Sequence, residues 1–360
     1  MTAASGLPDA ADAPAGRSLD ARLLGRWMAD HIDGFSGPLR IERFSGGQSN
    51  PTYRVTGAGR SVVLRRKPFG PIVKHAHAID REALVMDRLH RIGFPVPRIH
   101  ALCTDADVIG SDFYVMDLVE GRIFWDPALP QCTPWERASI YDAMNQVIAH
   151  LHSVDPVAAG LDGFGRPENY VSRQIARWSA QYLDDRDAAG HDASMERLVD
   201  LLAGHDFAGR GAALVHGDFR IDNLIFDPVE PRVIAVLDWE LSTIGDPLAD
   251  FAYHAMMYRM PAGLIAGLRG SGYQGGGIPD EAAYIADYCR RTGRMDLPDF
   301  EFYLGFNLFR VAAILHGIKG RIARGNAASR NARERASMLP EIARLALQQV
   351  EHARAAAGKR

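Results

Sequence analysis

Cysteine is scarce in this sequence: Cys103, Cys132 and Cys289 are odd in number and far apart. They offer no zinc-ligand spacing and no disulfide framework, so a reducing, cytoplasmic setting is expected. Long apolar runs are missing as well. Nothing approaches the roughly 18 consecutive apolar residues of a membrane span. Charge of one sign is missing too, and a formal net charge of -3 gives no whole-chain reason to expect nucleic acid or an acidic membrane surface as partner. The first 17 residues lack the basic start and apolar core of a signal peptide; rich in Ala, Pro, Gly and Asp, they read as a disordered tail. There is no internal repeat and no Gly-Lys-Ser/Thr phosphate loop of the Walker type. Gly57-Ala58-Gly59 and Gly209-Arg210-Gly211 lack the third glycine of a dinucleotide fingerprint. His75 and His77 have no third ligand at a suitable spacing for metal.

What is present is a chain of 360 residues, long enough for two packed lobes. Ser18 is placed to cap a first helix whose apolar face is Leu23, Leu24, Trp27, Met28 and Ile32. Strand-like runs follow at Leu39–Phe44, Thr52–Val55 and Ser61–Arg66, joined by Ser45–Pro51 and Gly57–Arg60 as in a meander. A helix is expected from Ala78 to Arg91, stopped by Phe94-Pro95-Val96-Pro97. Strand-like runs Ile99–Cys103 and Phe113–Val119 come next, then a hinge at Gly121-Arg122. Beyond it, Thr133, Pro134 and Glu136 spell a capping box with a first-turn proline. Tyr141, Met144, Ile148 and Leu151 recur behind it at helical spacing. Helical segments at 171–188 and 193–204 precede short strands at Ala213–His216, Asn223–Phe226 and Val233–Leu237. From Pro247 onward the chain reads mostly helical. A strand-rich lobe followed by a larger helical lobe is an α+β pattern. The expected organisation is a tail over 1–17, a nucleotide-binding lobe over 18–120, and a catalytic and substrate lobe over 121–360.

The chemistry concentrates in Leu214-Val215-His216-Gly217-Asp218-Phe219-Arg220-Ile221-Asp222-Asn223 and in Val236-Leu237-Asp238-Trp239-Glu240. Both polar clusters end apolar strand-like runs, so their side chains are presented from fixed scaffolds. Gly-Asp and Asp-Asn also suit plain turns, but a turn does not require a second Asp after the next strand. Asp218, Asn223 and Asp238 supply the oxygen ligands that hard Mg²⁺ prefers. An Asp, an Asn five residues on, and an Asp after the next hairpin follow the logic of kinases. In that logic Asp218 accepts the proton of an acceptor hydroxyl, while Asn223 and Asp238 hold magnesium against the phosphates of ATP.

His216-Gly217-Asp218, Asn223 and Leu237-Asp238 resemble the catalytic and metal motifs of the aminoglycoside phosphotransferase and choline kinase superfamily. Gly245-Asp246-Pro247-Leu248-Ala249-Asp250 extends the match, with Asp246 and Asp250 read as structural residues. The resemblance implies a bilobal, protein-kinase-like fold, with an N-terminal five-stranded antiparallel sheet plus helix and a mostly helical C-terminal lobe. It also implies ATP and Mg²⁺ as cofactors. Gly46, Gly47, Gln48, Ser49 and Asn50 would cover the phosphates with backbone N–H groups. Arg65 stands where kinases carry their phosphate-binding Lys, with Glu82 as its partner; Arg66 and Lys67 are adjacent alternatives. Met116 would line the back of the adenine pocket, and backbone groups near Asp117 and Val119 would pair with the base.

Only Trp239 to Ile244 separate Asp238 from Gly245-Asp246-Pro247. That leaves no room for the long segment on which protein kinases dock peptides, so a small hydroxylated molecule is the expected acceptor. Gly46–Tyr53, Leu64–Pro68, Gly165-Arg166-Pro167, Arg173-Gln174 with Trp178, and Asp238-Trp239-Glu240 resemble, more narrowly, the kinase-like domain fused to or encoded beside acyl-CoA dehydrogenases. That resemblance covers about residues 20–350. It implies a hydroxy acid or hydroxyacyl-CoA acceptor and a functional link to an acyl-CoA dehydrogenase. Three alternatives stand beside it: a nucleotide-binding module that regulates such a dehydrogenase, an aminoglycoside phosphotransferase, and a flavin dehydrogenase. Aminoglycoside sites are strongly acidic, whereas the segment after Glu301 is rich in Arg. Tyr258, Asn307, Arg310, His316 and Arg321 are loose candidates for the acceptor pocket. The acceptor's identity and the oligomeric state stay open at this stage.

Overall fold

The computed structural model describes residues 19–44, 50–68, 78–207, 211–272, 276–325 and 330–358. In chain order the elements are α1 (Ala21–His31), β1 (Arg40–Arg43), β2 (Thr52–Gly57), β3 (Arg60–Arg66), α2 (Ile79–Arg91), β4 (Ile99–Cys103), α3 (Ala106–Ile109) and β5 (Phe113–Asp117). They continue with α4 (Pro134–Ser153), α5 (Tyr170–Ala189), α6 (Ala193–Ala203), β6 (Ala213–Val215), β7 (Leu224–Phe226), β8 (Val233–Val236) and β9 (Thr243–Gly245). The chain closes with α7 (Pro247–Ala255), α8 (Glu281–Thr292), α9 (Phe300–Ala323), α10 (Arg330–Ser337) and α11 (Leu339–Ala357). These fall into two compact units. One holds the described residues up to Phe124 with Val157–Phe164 and Ile221–Ser242; the other holds Trp125–Pro156, Gly165–Arg220 and the described residues from Thr243 on.

The first unit is built on a five-stranded antiparallel sheet in the order β1-β2-β3-β5-β4. The turn between β2 and β3 places Ala58 at φ 51° and Gly59 at φ 76°, the left-handed pair of a two-residue hairpin loop. Successive strand residues face opposite sides. Val62 and Leu64 of β3, with Phe113 and Val115 of β5, therefore join Leu24 and Met28 of α1, and Ile32 just after it, in one buried cluster. Val63, Arg65, Tyr114 and Met116 turn to the other side, with Val63 opposite Met116 and Arg65 opposite Tyr114. The cap of α1 differs from expectation. Asp20, not Ser18, caps it, its carboxylate accepting from the N–H groups of Arg22 and Leu23 at 2.9 and 3.0 Å. Ser18 and the tail before it lie outside the described residues.

A short antiparallel hairpin, β7 with β8, completes this unit, with Leu224 opposite Val236. Arg122 pairs with Phe226, and its guanidinium donates to the carbonyls of Asp227 and Glu230 at 2.9 Å each. A Cβ at Gly121 would stand 2.3 Å from the Phe226 carbonyl oxygen, so only glycine lets the two backbones approach this closely.

The second unit is mostly helical. Its first helix, α4, carries the expected capping box: Thr133 accepts from the Glu136 N–H at 3.3 Å, and Glu136 accepts from the Thr133 N–H at 2.9 Å. The central helix, α9, buries residues on every side and packs against α5, α7 and α11, as a helix apolar all round must. β6 pairs with β9 through Leu214 and Ile244. Thr243–Gly245 carries no strand signal of its own; the pairing with β6 makes it one. No helix of the described residues is long and apolar enough to cross a membrane.

Candidate active site

In the first unit, Arg65 gathers three carboxylates. Its guanidinium lies 3.1 Å from Glu82, 2.6 Å from Asp238 and 3.7 Å from Glu240. Its position follows from the pleat: it shares a sheet face with Tyr114, and Glu82 projects from the first turn of α2 toward that face. Neighbouring Arg66 instead donates to the Lys67 carbonyl at 2.7 Å, and Lys67 pairs with Asp112 at 2.5 Å. Arg65 is thus the member of the basic triplet that meets Glu82.

The Arg65 Nε contact with Glu82 is a close ion pair rather than a well-aligned hydrogen bond. Burial pushes the Glu82 carboxyl up to about 7, against the pull of the guanidinium and a hydrogen bond from Tyr114. Burial also opposes the charge of Arg65, but Glu82 and the neighbouring acids outweigh it, so the guanidinium holds its proton more tightly than usual.

Asn223 and Asp238 sit at the open end of the β7–β8 hairpin. Asn223 directly precedes β7, and its carbonyl accepts from the Leu237 N–H at 2.9 Å. Asp238 follows with φ 67° and ψ 58°, a left-handed conformation that costs a non-glycine residue about 1–3 kcal/mol and clusters at functional sites. Trp239 locks the turn from below, buried, with its indole N–H donating to the Val236 carbonyl at 2.9 Å.

Of the glycine-loop residues, Asn50 is described: it is buried and its amide donates to Glu240 at 3.3 Å. Gly46, Gly47, Gln48 and Ser49 lie outside the described residues, as do His75 and His77. Met116 is buried on the Arg65 face of the sheet. The Asp117 N–H already donates to the Arg98 carbonyl at 3.0 Å. Any base edge at this strand end would therefore use other backbone groups of the Asp117–Val119 segment. The Asp117 carboxylate lies 2.7 Å from His100 Nε2.

In the second unit, the His216–Phe219 loop is held by α7. Both carboxylate oxygens of Asp250 accept backbone N–H groups, from His216 and from Gly217, each at 2.8 Å. His152 Nε2 approaches the same carboxylate at 3.2 Å, and its Nδ1 meets the Tyr288 hydroxyl at 2.7 Å. Burial alone would raise the Asp250 carboxyl, but His152 and His216 outweigh it and hold it below its ordinary value. Gly217 takes φ 83°, which favours glycine there. The Asp218 N–H donates to His216 Nδ1 at 3.1 Å, which makes that ring nitrogen the unprotonated one. One residue further, His254 accepts from the Tyr284 hydroxyl at 2.6 Å and donates to the Phe219 carbonyl; burial pushes its ring down to about 4. Asp246 caps α7 and accepts from the Tyr303 hydroxyl at 2.6 Å.

Among the loose acceptor-pocket candidates, only Arg310 reaches this loop, donating to the Gly217 carbonyl at 2.7 Å. Asn307 instead bonds the carbonyls of Ala249 and Tyr303 at 2.9 and 3.0 Å, tying α9 to α7. His316 lies 2.9 Å from the Gly190 carbonyl, and Tyr258 is buried among Tyr141 and Tyr284. Arg321 is exposed. Buried polar groups on an apolar helix need partners, and Asn307, Arg310 and His316 of α9 meet backbone carbonyls. Sequence reasoning passed over Tyr114, which bonds Glu82, and Tyr253, whose hydroxyl donates to Asp218 at 2.5 Å. Both are aromatic residues inside apolar runs, and nothing in their spacing separates them from core.

Residues 40–306 match the family model described as the phosphotransferase enzyme family. The chain belongs to this family. It is 43% identical, over 86% of its length, to acyl-CoA dehydrogenase family member 10 of Mus musculus, of which it covers 29%. It is 41% identical, over 91% of its length, to acyl-CoA dehydrogenase family member 11 of Gallus gallus, of which it covers 43%. The chain thus spans less than half of these relatives. Among solved structures, a Ralstonia eutropha protein described provisionally as an aminoglycoside phosphotransferase is 43% identical, with a TM-score of 0.84 over 93% of this chain and 99% of its own. An aminoglycoside phosphotransferase in complex with AMP-PNP and hygromycin B, 15% identical with a TM-score of 0.58 over 91% of this chain and 98% of its own, shares the fold.

Proposed function

We propose that this phosphotransferase moves the γ-phosphoryl group of ATP to a hydroxyl of a small molecule, a hydroxy acid or hydroxyacyl-CoA. The observation that carries the reading is the gathering of Glu82, Asp238 and Glu240 around Arg65, beside a hairpin mouth that presents Asn223 and Asp238. An amide oxygen and a carboxylate suit Mg²⁺, which keeps few protein ligands and fills its shell with phosphate oxygens and water. When bound, the metal supplies charge neutralisation at the phosphates.

The chain's own residues do the rest. Arg65 offers a planar fork that suits phosphate oxygens, with Glu82 fixing its direction. Asn50 is the described end of the segment expected to cover the phosphates. Asp218, five positions before Asn223, accepts the proton of the acceptor hydroxyl and orients its oxygen for in-line attack. Catalysis of this kind is mostly positioning and charge neutralisation. The acceptor class rests on the relatives' names and on the arginines after Glu301. The alternative of a regulatory module is disfavoured because the sequence keeps Asp218, Asn223, Asp238 and Glu82.

The test is a coupled ADP-release assay with Mg·ATP across sugars, aminoglycosides, choline-like amines, hydroxy acids and hydroxyacyl-CoAs. We expect acceptor-dependent turnover with a hydroxy acid or its thioester, and a loss of at least 100-fold in Asp218→Ala with ATP binding retained. Near-normal turnover in that variant would sink the mechanism.

A further inference from the structure

Three residues of α7, at the i, i+3 and i+4 spacing that shares one helix face, reach four successive residues of the loop. Asp250 holds the N–H groups of His216 and Gly217, and His254 holds the Phe219 carbonyl. Between them, Tyr253 reaches the Asp218 side chain itself, its hydroxyl 2.5 Å from Oδ1. Tyr253 is buried. The Arg310 guanidinium covers its ring at 4.7 Å while donating to the Gly217 carbonyl at 2.7 Å. Arg220 Nε lies 4.0 Å from the same Oδ1.

We propose that Tyr253 is a positioning residue for phosphoryl transfer: its hydroxyl, donating to Oδ1, fixes the direction of the Asp218 carboxylate from α7. A free aspartate turns about χ2 and offers either oxygen in many directions. A donor fixed on a helix removes that freedom before the acceptor arrives, which is the economy of preorganisation. The phenol is suited to the task because it stays a donor: burial, and then the charge of Asp218, push it well above its ordinary value. Among the described residues, Arg220 and Arg310 are the other charged groups that act on it, and they pull the other way. Arg310 keeps the ring in place from its far side.

This inference rests on the reading of Asp218 as proton acceptor, and the test separates the two. Tyr253→Phe keeps the ring under Arg310 and removes only the hydroxyl. The full chain is assayed with Mg·ATP and water as acceptor. In parallel, the Asp218 Cγ resonance of ¹³C-aspartate-labelled protein, assigned by its loss in Asp218→Asn, is compared at one pH between wild type and Tyr253→Phe. We expect kcat to fall about tenfold, as for loss of one hydrogen bond to a charged group, with KM for ATP within twofold. The Cγ resonance should shift in the variant. An unmoved Cγ resonance overturns the role of Tyr253, whatever the rate does. So does a fall in rate that only follows a fall in melting temperature. Full activity in Asp218→Asn would instead overturn the reading of Asp218, while the resonance still reports whether Tyr253 holds its carboxylate.

Discussion

Arg65 shows how much one side chain can be asked to do. It is nearly buried, at 11% side-chain exposure, beside a glutamate at 1%. Such a pair is costly to break, because one partner is left charged in a poor solvent. Arg65→Met should cost about 3–5 kcal/mol in denaturant titrations. The deficit has a pH signature. Glu82 already titrates near 7, above an ordinary glutamate. An acid whose folded value is raised loses stability as pH climbs through that value, and removing the guanidinium raises it further. The deficit should therefore be smaller at pH 5 than at pH 8. Arg65→Lys keeps a charge but cannot serve Glu82 and Asp238 with separate nitrogens, and should weaken Mg·ATP binding about tenfold in calorimetric titration while leaving the fold intact.

At this scale the polar residues of the candidate site stand out in the sequence because their spacing is unusual. Asp218, Asn223 and Asp238 flank strands at intervals that an ordinary turn does not need. Tyr114 and Tyr253 were not readable, since a tyrosine in an apolar run reads as core until its hydroxyl is seen to meet a carboxylate.

Among the elements, α7 does most to order the loop. Its start was legible: Asp246 caps it and Pro247 opens it. What its face grips was not, because those contacts join residues more than 30 positions apart. The hairpins and the capping box at Thr133 were legible for the opposite reason, being local. β9 escaped because Thr243-Ile244-Gly245 lacks the apolar run that marks the equally short β6 and β7. His254 gives α7 a measurable pH dependence. Its ring is held neutral, near 4 against an ordinary 6.5. A histidine with a lowered folded value contributes stability that is complete above 6.5 and is lost as pH falls toward 4. The shift bounds the loss at about 3 kcal/mol. Comparing wild type with His254→Asn by urea titration at pH 7.5 and 4.5 should show the variant losing less between the two.

For the whole molecule, family membership and length pull in different directions. The phosphotransferase match covers most of the chain, yet the chain is under half of its curated relatives, which carry dehydrogenase names. If the proposed function holds, acceptor-dependent ADP release needs no dehydrogenase in the tube. A regulatory module predicts the reverse: silence alone, and a changed rate when an acyl-CoA dehydrogenase is added. Steady-state assays with and without that enzyme decide between them.

The β7–β8 hairpin has one more consequence. Asn223 and Asp238 are both referred to the Leu224–Val236 rung, so the separation between them is set at the root of the ribbon. The tip, from Asp227 to Arg232, is exposed at Val229 and tied back to Arg122. The hairpin behaves like a pair of tweezers: the tips of interest are close to the join that sets their gap, and the length of the handle is immaterial to it. Lengthening or shortening the handle in this chain should leave the grip unchanged.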